Sequence, residues 1–290
     1  MYDSILVPTD GSTAAEKAAE TALALAKRFD ASIHAINVTE LDDVPAHVES
    51  EATEELTQLG EETVATIADQ ATEAGVATTT QVIETTEPTH QAIIEYATGH
   101  GVDLIVMGTH GRTGFNRLVL GSVTERTLRL SPIPVLTVHE ETNLDPDFET
   151  VLVPTDGSDA AGVAADHGIK FAAATDAAMH VVHVVDLTTG FGESGSVEIL
   201  AALKEASQRA VDDIIDRADE ADLRSVEASV LSGMPVRGLL DYVDERDIDL
   251  IVMGTHGRTG LDRYLLGSVT EKIVRLADVP VLTVAPSEDQ

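Results

Sequence analysis

The run Asp103-Leu-Ile-Val-Met-Gly-Thr-His-Gly-Arg-Thr-Gly114 recurs without a change at 249–260, twelve residues displaced by 146 positions. The same displacement carries Leu6-Val-Pro-Thr-Asp-Gly-Ser12 onto 152–158 and Leu120-Gly-Ser-Val-Thr-Glu125 onto 266–271. The chain is therefore one module written twice. The period is far too long for a solenoid repeat, so it predicts tandem domains, each large enough to bury its own core. The expected divisions are 1–139 and 150–290. The segment 140–149, which holds five acids with Asn143 and Pro146, reads as the linker.

Within the first copy, Ser4-Ile-Leu-Val-Pro8 is a short apolar strand ending in a turn, Thr9-Asp-Gly-Ser12. Ala15, Ala18, Ala22, Leu25, Ala26 and Phe29 follow at helical spacing. The pattern continues as strand 32–38, helix 49–74 stopped by Gly75, strand 76–83, a helix opened by Glu87-Pro-Thr89, strand 103–107, helix 121–130 and strand 134–138. Strands alternating with helices require right-handed crossovers and a parallel sheet covered on both faces. The loop 188–196 of the second copy is richer in glycine than its counterpart, so the two copies are expected to differ most there.

Composition narrows the function. Fifty-one acidic residues against 18 basic ones give a formal charge of −33, and only five of the 18 are lysine. Such a charge repels nucleic acid and anionic membranes. The acids are spread over both copies, which fits a protein adapted to a salt-rich cytoplasm, where screening shortens their mutual repulsion, better than a binder of basic proteins. With no cysteine there is no disulfide framework and no thiol nucleophile. No run of about 20 apolar residues and no leader pattern is present, so a soluble, cytoplasmic protein is expected.

The chemistry concentrates after the fourth strand of each copy. Gly108 and Gly111 are followed nine residues later by Gly121-Ser122, and Gly254, Gly257, Gly267 and Ser268 repeat that spacing. Glycines let a backbone approach a ligand closely, and a helix opening at Gly121-Ser122 offers free N–H groups to an anion. Asp10 stands at the end of strand one, beside strand four, in the crevice where open α/β sheets bind ligands. Segment 103–131 carries four arginines (Arg112, Arg117, Arg126, Arg129) against two acids, and segment 249–277 four bases against three acids. These are basic islands in an acidic chain, unless the bases simply pair with neighbouring acids along a helix.

Other readings fit poorly. There is no Gly-Lys-Ser/Thr of a P-loop, and the glycine spacing is not that of a dinucleotide fold. Asp10 and Asp156 can cap the following helices, but Ser12 and Ser158 are available for that, which leaves the aspartates to a ligand. His110 and His256 can serve a phosphate or merely bond within their loops. His180 and His183, three apart on a strand, face opposite ways and cannot share a metal. His34 and His167 read as packing residues, and Met107 and Met253 as ligand contacts or plain core. No metal site and no catalytic residue is expected.

Val7-Pro-Thr-Asp-Gly-Ser12, Val106-Met-Gly-Thr-His-Gly111 and Leu120-Gly-Ser-Val123 together resemble the universal stress protein family, in the tandem two-domain form of its ATP-binding branch. The resemblance covers nearly the whole chain. It implies an α/β fold with two open five-stranded parallel sheets of order 3-2-1-4-5, helices on both faces, and an adenine-nucleotide alpha-hydrolase-like architecture. Carried over, Pro8 and Asp10 border the nucleoside, and Val38 touches the adenine from the end of strand two. Met107 and Gly108 line the base and ribose, while Gly111, Gly121, Ser122 and Val123 hold the phosphates. The second copy repeats these as Pro154, Asp156, Val184, Met253, Gly254, Gly257, Gly267, Ser268 and Val269. The implied cofactor is ATP, ADP or AMP, with Mg²⁺ arriving on the phosphates and at most slow hydrolysis. An internal pseudo-dimer with facing fifth strands, and pairing of two chains, are implied as well. The alternatives are an interaction module whose loops are empty or take another anion, such as a cyclic nucleotide, and a nucleotidyl transferase.

Overall fold

The computed structural model describes residues 1–40, 49–111, 120–143, 145, 147–186, 197–257 and 266–286. It divides into two compact units, Met1–Thr142 and Asn143–Gln290. In the first unit the order is β1 (Ser4–Pro8), α1 (Thr13–Phe29), β2 (Ser32–Glu40), α2 (Glu49–Ala74), β3 (Thr78–Thr85), α3 (Thr89–Gly99), β4 (Leu104–Gly108), α4 (Ser122–Leu130) and β5 (Val135–Val138). The second unit repeats it as β6 (Thr150–Pro154), α5 (Asp159–Thr175), β7 (Ala178–Asp186), α6 (Val197–Asp219), β8 (Ser225–Gly233), α7 (Pro235–Glu245), β9 (Leu250–Gly254), α8 (Ser268–Leu276) and β10 (Val281–Val284).

Both units have the expected sheet. The strands run β3-β2-β1-β4-β5 in one and β8-β7-β6-β9-β10 in the other, and every pairing within a unit is parallel. The central strands are apolar and wholly buried, as strands covered on both faces must be. α1 faces the sheet with Ala14, Ala15, Ala18, Ala22 and Ala26, small enough to bring the helix close. The closest approach is at Gly108, where an added Cβ would sit 2.8 Å from the Ala14 backbone, and at Gly254, where it would sit 2.9 Å from Ala160.

An acid inside the repeated twelve residues explains part of why that block is shared. Asp103 Oδ2 accepts the backbone N–H groups of Asp3 (2.8 Å) and Ser4 (3.0 Å), clamping the start of β1 to the entry of β4. Asp249 Oδ2 accepts from Thr150 N and Thr150 Oγ1, each at 2.8 Å, to the same effect. A carboxylate receiving backbone N–H groups is a strong charge-assisted bond.

Several boundaries differ from the sequence reading by one or two residues, and two of the differences are instructive. β2 continues to Glu40, so Val38 lies inside the strand and not at its end. β3 begins two residues late, because the Val76 N–H still bonds Ala71 O and closes α2 over Gly75, whose φ is 73°.

Candidate functional site

The first component is the turn after β1. Thr9 N–H continues the ladder to Ile36 O (2.8 Å), and Asn37 Nδ2 donates to Thr9 O (2.8 Å), so the turn is anchored to β2. Gly11, at φ 75°, allows the reversal. Ser12 Oγ then caps α1 by accepting from Ala15 N–H at 3.3 Å. Asp10 is more committed than expected. Its Oδ1 accepts the Ser12 N–H (3.0 Å), and its Oδ2 lies where a Cβ on Gly111 would collide with it. Asp156 repeats this with Ser158 N–H at 3.0 Å and additionally accepts from Ser158 Oγ at 2.6 Å. The serine cap therefore does not release the aspartate; the carboxylate holds the turn and faces the glycine loop at once.

The second component is the approach to α4. Gly121 N–H donates to Thr109 O at 2.8 Å, and Gly267 N–H to Thr255 O at 2.7 Å. These amides close the loop, so the role expected of Gly121 and Gly267 as phosphate donors through their own N–H is corrected. The first helical bond runs from Glu125 N–H to Gly121 O, and Gly121, as N-cap, has no side chain with which to cap. The N–H groups of Ser122, Val123 and Thr124 thus form the open first turn of α4, and Ser268, Val269 and Thr270 that of α8. Thr124 Oγ1 and Thr270 Oγ1 fix each helix by donating to Gly108 O and Gly254 O at 2.8 Å. Gly108 itself is required by helix packing, as described above.

Between the two components lies a cavity of 290 Å³ in the first unit. It is lined by Pro8, Asp10, Val38, Met107, Gly108, Gly111, Gly121, Ser122 and Val123. The second unit has a cavity of 430 Å³ lined by Pro154, Asp156, Val184, Met253, Gly254, Gly257, Gly267, Ser268 and Val269. Every position that the family resemblance implied for the nucleotide lines one of the two cavities. Sequence reasoning missed a further wall, Thr89 and Ile93 from α3 and Pro235 and Leu239 from α7. The signal was available: each helix opens immediately after an edge strand, on the same side of the sheet as the glycine loops.

The basic islands are less informative than their charge count. Arg112, Arg117, Arg258 and Arg263 lie outside the described residues. On the helices, Arg129 pairs with Glu125 at 3.5 Å and Arg275 with Glu271 at 3.2 Å, the i,i+4 arrangement of a helix surface. The histidines divide. His110 and His256 line the cavities with Nδ1 held by Thr109 Oγ1 (3.2 Å) and Thr255 Oγ1 (3.1 Å). His34 and His180 instead bond Tyr96 and Tyr242 at 3.0 Å, and burial lowers both below the ordinary imidazole range. Burial also takes His167 down to about 4, helped by Lys170.

Comparison with known proteins agrees with this architecture. The sequence model of the universal stress protein family matches residues 1–139 and again 147–285. Universal stress protein MJ0531 of Methanocaldococcus jannaschii is 38% identical over 140 residues, covering 47% of this chain and 82% of its own. Universal stress protein YxiE of Bacillus subtilis is 33% identical over 150 residues, covering 48% of this chain and 100% of its own. The crystal structure of a universal stress protein from Archaeoglobus fulgidus covers 97% of this chain and 98% of its own with a TM-score of 0.76 at 24% identity, a likeness of fold.

Proposed function

The chain belongs to the universal stress protein family in both of its halves, and from that premise we propose that it binds one adenine nucleotide, ATP in the first instance, in each unit. The observation that carries this is the uncapped first turn of α4 and of α8, aimed at a cavity walled by Asp10 or Asp156 on one side and apolar Val38, Met107 or Val184, Met253 on the other. Open N–H groups with the positive end of a helix dipole fit a phosphate. Ser122 and Ser268 add hydroxyls to those amides. The aspartates fit ribose hydroxyls, and the valines and methionines fit a flat base. Mg²⁺ would arrive with the phosphates.

The assignment is binding in a stress-response or regulatory protein, with hydrolysis slow at most. Among the described residues, the groups that converge on the phosphate end are amides, a hydroxyl and one imidazole, not a nucleophile paired with a base. The same reading places the protein in a salt-rich cytoplasm, on the strength of its −33 charge, and includes pairing of two chains. No described helix is long and apolar enough to cross a membrane.

Isothermal titration of nucleotide-stripped protein with ATP, GTP and cyclic AMP tests the proposal. Two ATP per chain, with GTP and cyclic AMP at least tenfold weaker, is the expected result. Preference for cyclic AMP would replace the assigned ligand, and no heat with any of the three would leave the interaction-module reading.

A further inference from the structure

The two cavities differ where the second strand of each unit meets its third helix. Glu40 ends β2 and Thr89 opens α3; at the same displacement, Asp186 ends β7 and Pro235 opens α7. In the first unit Glu40 Oε2 accepts the Thr89 N–H at 3.3 Å and the Thr89 hydroxyl at 2.9 Å, so this carboxylate is committed to the start of α3. Pro235 has neither an N–H nor a hydroxyl, so it cannot hold Asp186 as Thr89 holds Glu40. Asp186 lines the second cavity in a row with Val182 and Val184, alternate residues on one face of β7. β2 gives the first cavity Val38, the counterpart of Val184. The volume is 430 Å³ in the second unit against 290 Å³ in the first.

The second cavity is polar in opposite senses at its two ends. Ser268, Val269 and Thr270 bring the open N–H groups of α8 to one end. α8 follows β9, and β6 lies between β9 and β7, which puts β7 roughly 10 Å from β9 across the sheet. The Asp186 carboxylate therefore belongs to the end remote from the helix start. An ionised carboxylate only accepts hydrogen bonds, and it repels phosphate. A nucleotide with its phosphates on α8 accordingly crosses β6 with its base toward β7. Asp186 stands two residues beyond Val184, roughly 6.6 Å along the strand, so a base resting on Val184 turns its outer edge to the carboxylate. The exocyclic 6-amino group carries the only N–H donors that the adenine of a nucleotide offers to such an acceptor.

We infer that Asp186 is a specificity-determining residue of the second site, where its carboxylate accepts a hydrogen bond from the amino group of a bound adenine, while Glu40, tied to α3, leaves the first site without that contact. The inference rests on the nucleotide reading given above and adds to it a difference between the two sites. Asp156, the other carboxylate of the second cavity, holds Ser158 N–H as Asp10 holds Ser12 N–H. His256 likewise matches His110. These groups are common to both sites and do not distinguish them.

The methionines give each site its own signal, since Met107 lines the first cavity and Met253 the second. The intact chain, labelled with ¹³C at the methionine methyl groups, is titrated by NMR with ATP and with purine riboside 5′-triphosphate, which has hydrogen in place of the 6-amino group. The preference for ATP read at Met253 is expected to exceed that read at Met107 by about tenfold, the worth of one charge-assisted bond. Contacts shared by the two sites cancel in that ratio. Asp186→Ala should bring the preference at Met253 down to that at Met107. Asp186→Glu combined with Pro235→Thr, which rebuilds the first unit's pair, should do the same. Equal preferences at the two methionines in wild type, or a difference that survives Asp186→Ala, overturn the inference and leave nucleotide binding intact. GTP bound more tightly than ATP at Met253 overturns it as well, because guanine offers a carboxylate adjacent N–H donors. A Met253 signal that answers none of the three nucleotides overturns the inference together with the nucleotide reading of the second unit.

Discussion

Gly121 donates its N–H to the carbonyl oxygen of Thr109 at 2.8 Å, and this bond seats the first turn of α4 on the end of β4. A Cβ on Gly121 would stand 3.3 Å from both Thr109 O and His110 Cα, and on Gly267 3.3 Å from His256 Cα. The backbone there is extended (φ −62° and −61°), so space and not conformation demands glycine. Gly121→Val and Gly267→Val should displace the helix starts and weaken ATP binding in their own units at least tenfold, about 1.4 kcal/mol each. Circular dichroism should remain that of the wild type. Unaltered affinity in titration calorimetry would remove the phosphate role of these helix starts.

The Asp103 clamp belongs to folding. Asp103→Ala leaves two backbone N–H groups without their carboxylate and should cost about 1–3 kcal/mol in urea denaturation. ATP affinity should stay within about twofold, since Asp103 lies at the opposite end of β4 from the glycine loop. A loss of ATP affinity exceeding the loss of stability would show that the clamp also shapes the site.

His167 gives a pH dependence of definite sign. Folded, it titrates near 4 because burial and Lys170 disfavour its charged form; unfolded, it titrates near 6.5. Between those values the unfolded chain binds the extra proton, so its contribution is complete above about pH 6.5 and is lost as pH falls toward 4. From pH 7 to 4.5 in constant molar KCl, wild type should lose about 1–3 kcal/mol relative to His167→Gln. Parallel stability curves for the two proteins would contradict the assignment.

The formal charge of −33 predicts a salt requirement. Raising KCl from about 0.1 M to 2 M shortens the Debye length from about 10 Å to under 3 Å and should raise the melting temperature by more than 10 °C. A melting temperature flat across that range would leave the acidic surface without the role given to it.

The architecture was legible because the signals that specify it are local. Short apolar strands, helical spacing and caps recur at a fixed displacement, and the displacement places the strand ends together. The cavity residues were legible for the same reason, since Pro8, Asp10, Gly111 and Gly121 sit at strand ends and a helix start. What the sequence could not convey was the direction of individual groups. The amide of Gly121 is consumed by Thr109, Gly108 serves Ala14, and Asp10 is tied to Ser12. Thr89 and Ile93 were missed because they join the site through sheet order, across β2 and β3, and not through proximity along the chain.

The central claim is two nucleotide sites in one chain, and it is tested most directly on protein purified in high KCl without added nucleotide. After denaturation, released small molecules are identified and counted by mass spectrometry, and stripped protein is titrated with ATP. The account predicts adenine nucleotide on release and, after titration, two ATP bound per chain. Protein that releases no nucleotide and binds no ATP would contradict it.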